Sequence, residues 1–348
     1  MKVLLLRFSS IGDIVLTTPV IRCIKKQRPD VEIHFATKKS FASIVQSNPH
    51  ISKVHVLNES LSELIDELQQ ENFDLIIDLH NNLRTARIKF SLGVQASTFN
   101  KMNFKKWMMV KLKSKTISVE HVVTRYLKAA WPLGIIDDGY GLEYFILNAD
   151  MISHDQLPLT HLHGFVAIAI GAAHYTKRIP ENKLIELCDK ISAPIILLGG
   201  KEDVIIGEKI ASQFPLKVLN LSGKCTLNQS ASVIKLSKKV ITGDTGLMHI
   251  AAALQKEIIC VWGNTIPQFG MYPYYGTQNS KAKSFEIENM DLSIVNGIRR
   301  IILTEIPTVG FYGEDEPTID IYKNTGPLHN EFMKHRIGLI PINVSEDI

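Results

Sequence analysis

The 348-residue sequence has no run of eighteen apolar residues, so nothing in it reads as a helix that crosses a bilayer. Cysteine is scarce. Cys23, Cys188, Cys225 and Cys260 lie far apart and form no C-x-x-C pair. That pattern argues against a zinc site or a disulfide framework and fits a reducing cytosol. No G-x-x-x-x-G-K-[ST] occurs, which excludes a P-loop nucleotidase, and no G-x-G-x-x-G follows a strand, so a dinucleotide fingerprint is missing. No Asp-x-Asp occurs either, which argues against a metal-bridged sugar-nucleotide site. Neither sign of charge is in excess: a net +4 is too small to argue for nucleic acid. In MKVLLLRFSSIGDIVL, Arg7 and Asp13 interrupt the apolar stretch and no small-residue cleavage site follows, so it does not read as a signal peptide.

What remains is an ordinary globular composition, 45% hydrophobic and 21% charged, long enough for two domains. Strand-like and helix-like segments alternate. KVLLL, VEIHFAT, ISKVHVL and FDLIIDL read as strands, with helices at VIRCIKKQ, a short one at FASIVQSNP, and SLSELIDELQQEN between them. After a polar stretch from about 148 to 164, the alternation resumes through GFVAIAIGAA, PIILLGG, KVLNLSG, KKVITGD and EIICVWGN. The fold class is therefore α/β, with two doubly wound parallel sheets. Residues 101–115, KMNFKKWMMVKLKSK, hold six lysines and no acid among aromatic and aliphatic side chains. They read either as a solvated helix with a core-facing stripe or as a surface for anionic lipid.

Four stretches carry candidate chemistry. In RFSSIGDIVLTTP, Arg7 to Pro19, a strand, a tight loop and a helix prepare a phosphate site. Yet the loop has one glycine, Gly12, and beside it Asp13, whose carboxylate would repel a phosphate. Asp13 is either a helix cap or an acid meant for something else. In TGDTGLMHIAAAL, a strand ends at Thr242, Asp244 or Thr245 caps the next helix, and Gly243 and Gly246 permit a tight turn. The N–H groups at such a helix start suit an anion. His249 is either a packed histidine or, in the first turn beside the capping acid, a ligand contact. In IAIGAAHYTKRIP, Lys177 and Arg178 offer cations to a diphosphate, or form a solvated basic loop. In LLGGKED, Gly199 and Gly200 allow close approach and Glu202 offers an acceptor to ribose hydroxyls. Three such loops on successive strand ends of one sheet reinforce one another.

The motifs SSIGDIVLTTPVI, GAAHYTKRIP, LLGGKED, LSGKCTLNQSASVI and GDTGLMHIAAAL…VWGNT resemble, in order, those of family-nine glycosyltransferases, the bacterial lipopolysaccharide heptosyltransferases and their relatives. The resemblance runs from Met1 to about Tyr275. It implies a GT-B architecture, two Rossmann-like domains facing a cleft: an acceptor-binding domain over 1–155 and a nucleotide-sugar-binding domain over 156–280. It implies inverting transfer without a metal or other cofactor. The implied donor is ADP-heptose, and the implied acceptor is a lipid-linked core oligosaccharide at the cytoplasmic face of the inner membrane. The protein would then be cytoplasmic and peripheral, with 101–115 touching the bilayer. Residue by residue, Asp13 matches the general base, Lys177 the lysine on the donor phosphates and Glu202 the ribose-binding acid. Asp244, Thr245, Gly246 and His249 match the diphosphate loop. Cys225 falls where backbone meets adenine, and Gly12 joins the donor-binding set. Ala172 and Ala173 stand where some members carry hydroxyls, and Ile179 replaces a tryptophan.

From about Phe285 to Ile348 the sequence resembles something else. DLSIVNGIRRIILTEIP and NTGPLHNEFMKHRIGLIPI are similar to the start of the alpha-like assembly subunit of RNA polymerases, an α+β fragment. The implied partner is a second polymerase subunit, and the chain reads as a fusion of two incomplete modules. Two functions follow as expectations: a peripheral sugar transferase, or a polymerase assembly fragment carrying a transferase-like domain that does no chemistry.

Overall fold

The structure, a computed structural model, describes residues 1–112, 119–172, 177–262, 269–277 and 284–287. The first half runs β1 (Lys2–Leu6), α1 (Ile11–Val15), α2 (Thr18–Gln27), β2 (Glu32–Lys38), β3 (Lys53–Leu57), α3 (Leu61–Gln70), β4 (Leu75–Asp78), α4 (Leu83–Leu92) and β5 (Ala96–Thr98). Helices α5 (Asn103–Leu112) and α6 (Val122–Ala129) follow. The second half runs β6 (Val166–Ala169), α7 (Glu181–Lys190), β7 (Ile195–Leu198), α8 (Val204–Gln213), β8 (Val218–Asn220), α9 (Leu227–Leu236), β9 (Lys239–Gly243), α10 (Gly246–Ala253), β10 (Glu257–Val261) and β11 (Ser284–Ile287).

All strand pairs are parallel, in the orders β3-β2-β1-β4-β5 and β11-β10-β9-β6-β7-β8. Each sheet reverses its strand order beside its first strand, the doubly wound pattern expected. The run Val3–Leu6 is wholly buried because both faces of its sheet are covered. Val3 and Leu5 pack with Ile21 and Ile24 of α2, while Leu4 and Leu6 pack with Leu64 and Leu68 of α3 and Ile88 of α4. Each such side chain contributes about 1.5–3 kcal/mol.

Three details depart from the sequence reading. The tight loop after β1 is in part a helix, α1. Asp13, at its third position, turns back so that Oδ2 accepts from the Ser10 hydroxyl (2.8 Å) and N–H (3.2 Å), the return half of a capping box. FASIVQSNP forms only a 3-10 helix, Lys39–Ile44, followed by a turn that leads to Pro49. The second sheet does not stop before Phe285: Ile259 pairs with Phe285 and Cys260 with Glu286. The start of the stretch read as polymerase-like is thus an edge strand of the second sheet. The rest of that reading, beyond 287, lies outside the described residues, as do Ala173 and residues 113–115.

The segment 269–277 reaches back to the first half. The Val122 N–H donates to the Gly270 carbonyl (2.8 Å), and His121 Nε2 lies 2.9 Å from the Tyr272 carbonyl. Gly141 and Gly276, at φ +78° and +80°, pass backbone against backbone where a Cβ would collide. Tyr274 donates its hydroxyl proton to Asp137 (2.8 Å), and Tyr275 donates to the Lys256 carbonyl (2.8 Å). The neighbouring Asp138 is held by the buried guanidinium of Arg22 through bonds of 2.8 and 2.7 Å.

Candidate active site

At the carboxyl end of β1 the chain turns at Arg7 and enters α1. The Arg7 guanidinium donates to the carbonyls of Ser9 and Leu79, both at 2.6 Å, and lies 2.8 Å from Asp13 Oδ2. Every hydrogen bond and ion pair of the Asp13 carboxylate among the described residues goes to Oδ2; Oδ1 accepts none. Burial pushes the Asp13 carboxyl up, but the Arg7 charge, the Ser10 bonds and the nearby His249 outweigh it and hold it below the usual aspartate range. The result is an ionised carboxylate with one oxygen anchored and one uncommitted.

Across from it, α10 begins at Gly246 after the turn that leaves β9. Thr245 holds the capping position but makes no side-chain capping bond; its hydroxyl lies 3.1 Å from that of Thr242. Asp244 pairs with Lys177 Nζ at 2.6 Å. The Lys177 backbone crosses over Gly243, where a Cβ would sit 2.6 Å from the Lys177 carbonyl oxygen. The sequence-predicted phosphate lysine and diphosphate loop are therefore one unit.

The two helices touch. A Cβ on Gly12 would lie 2.5 Å from His249 Cδ2, and one on Gly246 would lie 2.6 Å from Ile11 Cγ2. Each glycine makes room for a residue of the other helix. His249 is buried, and its Nδ1 has no hydrogen-bond partner among the described residues. Burial lowers its pKa to about 4, so the ring is neutral near pH 7. It is a packed histidine, as one reading had it, and its unpartnered nitrogen also suits the ligand reading.

The remaining predicted residues lie on the same sheet's carboxyl ends. Ala172 is buried, and its carbonyl accepts from Arg178 Nε at 3.0 Å. Glu202 is exposed in the 3-10 turn Lys201–Asp203 after Gly200. Cys225 is half-buried between Gly223 and the α9 cap Thr226, and burial raises its thiol pKa. The motifs do not single out Asp203, Arg7 or His80. Asp203, 1% exposed, accepts from the Gly200 N–H (2.8 Å), lies 3.3 Å from Arg178 and packs against Gly171 and Gly199. His80 accepts from the Phe8 N–H at 3.3 Å, and its pKa is lowered to about 4 by burial and by Arg7 and Lys101. Only the arginine directly after the first strand was visible as a signal for any of these.

A family model described as glycosyltransferase family 9 (heptosyltransferase) matches residues 61–290, reaching past the Tyr275 at which the sequence resemblance was expected to end. Lipopolysaccharide heptosyltransferase 1 of Campylobacter coli is 25% identical over 307 residues, covering 76% of this chain and 84% of that protein. Among solved structures, a family 9 glycosyl transferase from Veillonella parvula superposes with a TM-score of 0.67 at 20% identity, over 86% of this chain and 89% of that one. An Escherichia coli heptosyltransferase solved with ADP gives 0.66 at 22%, over 87% and 99%. At these identities the structures show the shared fold.

Proposed function

Because the chain belongs to glycosyltransferase family 9, we propose that it moves a heptose from ADP-heptose onto the core oligosaccharide of a lipopolysaccharide, with Asp13 as the base. The carrying observation is the Asp13 carboxylate, with Oδ2 fixed by Arg7 and Ser10 and Oδ1 uncommitted, on a helix in contact with α10. The names of the relatives, a lipopolysaccharide heptosyltransferase and a heptosyltransferase solved with an ADP-sugar analogue, support the donor and acceptor classes.

The chemistry follows from this arrangement. An acceptor hydroxyl is a poor nucleophile until a base takes its proton. That proton passes to Asp13 Oδ1 as the hydroxyl oxygen bonds to the anomeric carbon. The bond from that carbon to the diphosphate oxygen breaks on the opposite face, and the leaving group departs with the electron pair. Inversion results. The growing negative charge falls to Lys177 and to the N–H groups at the start of α10, which are fixed in advance of the reaction. The acidity of Asp13 makes it a weak puller of protons but keeps it charged, and the attacking hydroxyl becomes acidic only as its new bond forms. Glu202 and the backbone near Cys225 would hold the ribose and the adenine.

Peripheral binding has its own support. Helices α4 and α5 contain no acid; Leu83, Phe90 and Trp107 are exposed there beside Arg84, Arg87, Lys105 and Lys111. No described helix is long and apolar enough to cross a membrane. The exposed apolar and basic side chains of each helix suit an anionic headgroup layer.

Asp13→Asn tests the chemistry. Donor affinity measured by calorimetry stays within about twofold, while turnover falls about a hundredfold or more, the scale of a lost general base. Turnover at the native rate sinks the assignment.

A further inference from the structure

A second cluster of ionisable groups lies at the opposite, amino-terminal end of the first sheet, and the transfer chemistry does not use it. His34 of β2 and His55 of β3 project from the same face, both buried, with His34 Nδ1 and His55 Nε2 2.9 Å apart. The outer nitrogen of each ring meets a carboxylate. His34 Nε2 lies 2.8 Å from Glu32, and His55 Nδ1 lies 2.6 Å from Glu67. Carboxylates accept, so each neutral ring spends its one N–H outward. With both rings in that tautomer, two lone pairs face each other across 2.9 Å, an arrangement that a cation between them would satisfy. Glu71 brings Oε2 to 3.9 Å from His34 Nδ1, and Phe73 closes the apolar side with its ring edge-on to both imidazoles.

We propose that His34, His55 and Glu71 form a binding site for a divalent transition-metal ion, zinc or a close relative. Two imidazole nitrogens and a carboxylate oxygen are a ligand set such ions take. The three ligand atoms all lie within 4.8 Å of one another. An ion about 2.0–2.1 Å from both nitrogens fits their present spacing at roughly a right angle, and a shift of a few tenths of an ångström opens it toward the tetrahedral angle. Glu32 and Glu67 already do what outer-shell carboxylates do at histidine metal sites: they fix the tautomer and aim the ring. Glu71 pairs with Lys53 at 2.6 Å and with Lys2 at 2.9 Å. Both lysines are partly exposed at the cluster's edge, so the ammonium of Lys2 can yield Oε2 to an arriving ion while Lys53 keeps Oε1. Three carboxylates against two ammonium groups leave the pocket a net negative charge. A lone proton between the rings would also bridge them, and the test below separates the two. The site ties β2 and β3 to the end of α3, so the ion's effect is on stability.

The test uses the full chain, stripped with a chelator and titrated with zinc chloride by calorimetry, then with cobalt(II) read by its visible d–d bands. The expected result is a one-equivalent binding event lost in His55→Asn, a tetrahedral cobalt spectrum, and a melting temperature raised by zinc. Glu67→Gln touches no ligand atom. It keeps the fold, checked by circular dichroism, and weakens zinc by about 10–100-fold, the outer-shell effect. Equal zinc uptake by the native chain and both variants overturns the proposal. So does an imidazole proton shared between the rings, seen by nitrogen NMR and unmoved by zinc.

Discussion

Asp13 acts in company, and its nearest neighbour makes the sharpest residue-scale prediction. With Arg7 at 2.8 Å the carboxyl is acidic. In Arg7→Met that charge is gone, burial dominates, and the carboxyl pKa rises. The acid limb of kcat against pH should move to higher pH in this variant, while the plateau above it stays within a few-fold; an unmoved limb removes Asp13 from the rate-determining ionisation. The same depression has a stability sign. A lowered aspartate contributes above its unfolded value of 3.8, and that contribution is lost as pH falls through the lower folded value. Asp13 was legible because its motif sets it apart as an acid beside a phosphate-like loop. Asp203 was not, because the choice between Glu202 and Asp203 depends on a single 3-10 turn that sends adjacent residues opposite ways, one into solvent and one under Gly171. No composition or period encodes that.

At the scale of elements, the contact between α1 and α10 is made by absent side chains. Gly246→Ala drives a methyl into Ile11. Overpacking of this kind costs about 1–3 kcal/mol, and a shift of about 1 Å between base and donor costs about a hundredfold in rate. The variant should therefore bind ADP, melt a few degrees lower and turn over about a hundredfold more slowly. Adding Ile11→Ala should recover much of the rate; no recovery would mean the glycine serves the anion and not the fit. The strands were legible as apolar runs, since a parallel sheet covered on both faces leaves no other place for KVLLL or PIILL. Helix α1 was hidden because only five residues, with a glycine among them and two serines just before, read as a loop. Its formation rests on the back-folded Asp13 side chain, a tertiary detail with no sequence signal.

For the whole molecule, acid should loosen the fold before it reaches the carboxylates. His80, His121 and His249 each have a pKa lowered to about 4 by burial, from 6.5. Between those values the unfolded chain binds protons that the folded chain does not, so stability falls as pH drops from about 6.5 toward 4. Urea midpoints across that window should fall steadily, and His249→Gln should flatten part of the slope. Chain length gives a second test. Residues 1–290 form one compact unit that includes β11. A chain ending at 290 should keep nucleotide binding and turnover, whereas one ending at 277 bares the β10 edge and should melt several degrees lower. Equal stability of the two would show β11 to be dispensable.

The crossing of Gly141 by Gly276 has a mechanical meaning. One strand of this crossing is tied to the first sheet's helices through Arg22 and Asp138, the other to the second sheet through Tyr275 and Lys256. The crossing is therefore placed where a fulcrum would be. Any tilt of one half against the other would be least at the crossing and would grow with distance from it. A change of a few degrees there would become ångströms at the far rim, so Gly276→Ala, whose methyl would collide with the backbone of Gly139 and Gly141, should lower kcat in a steady-state assay.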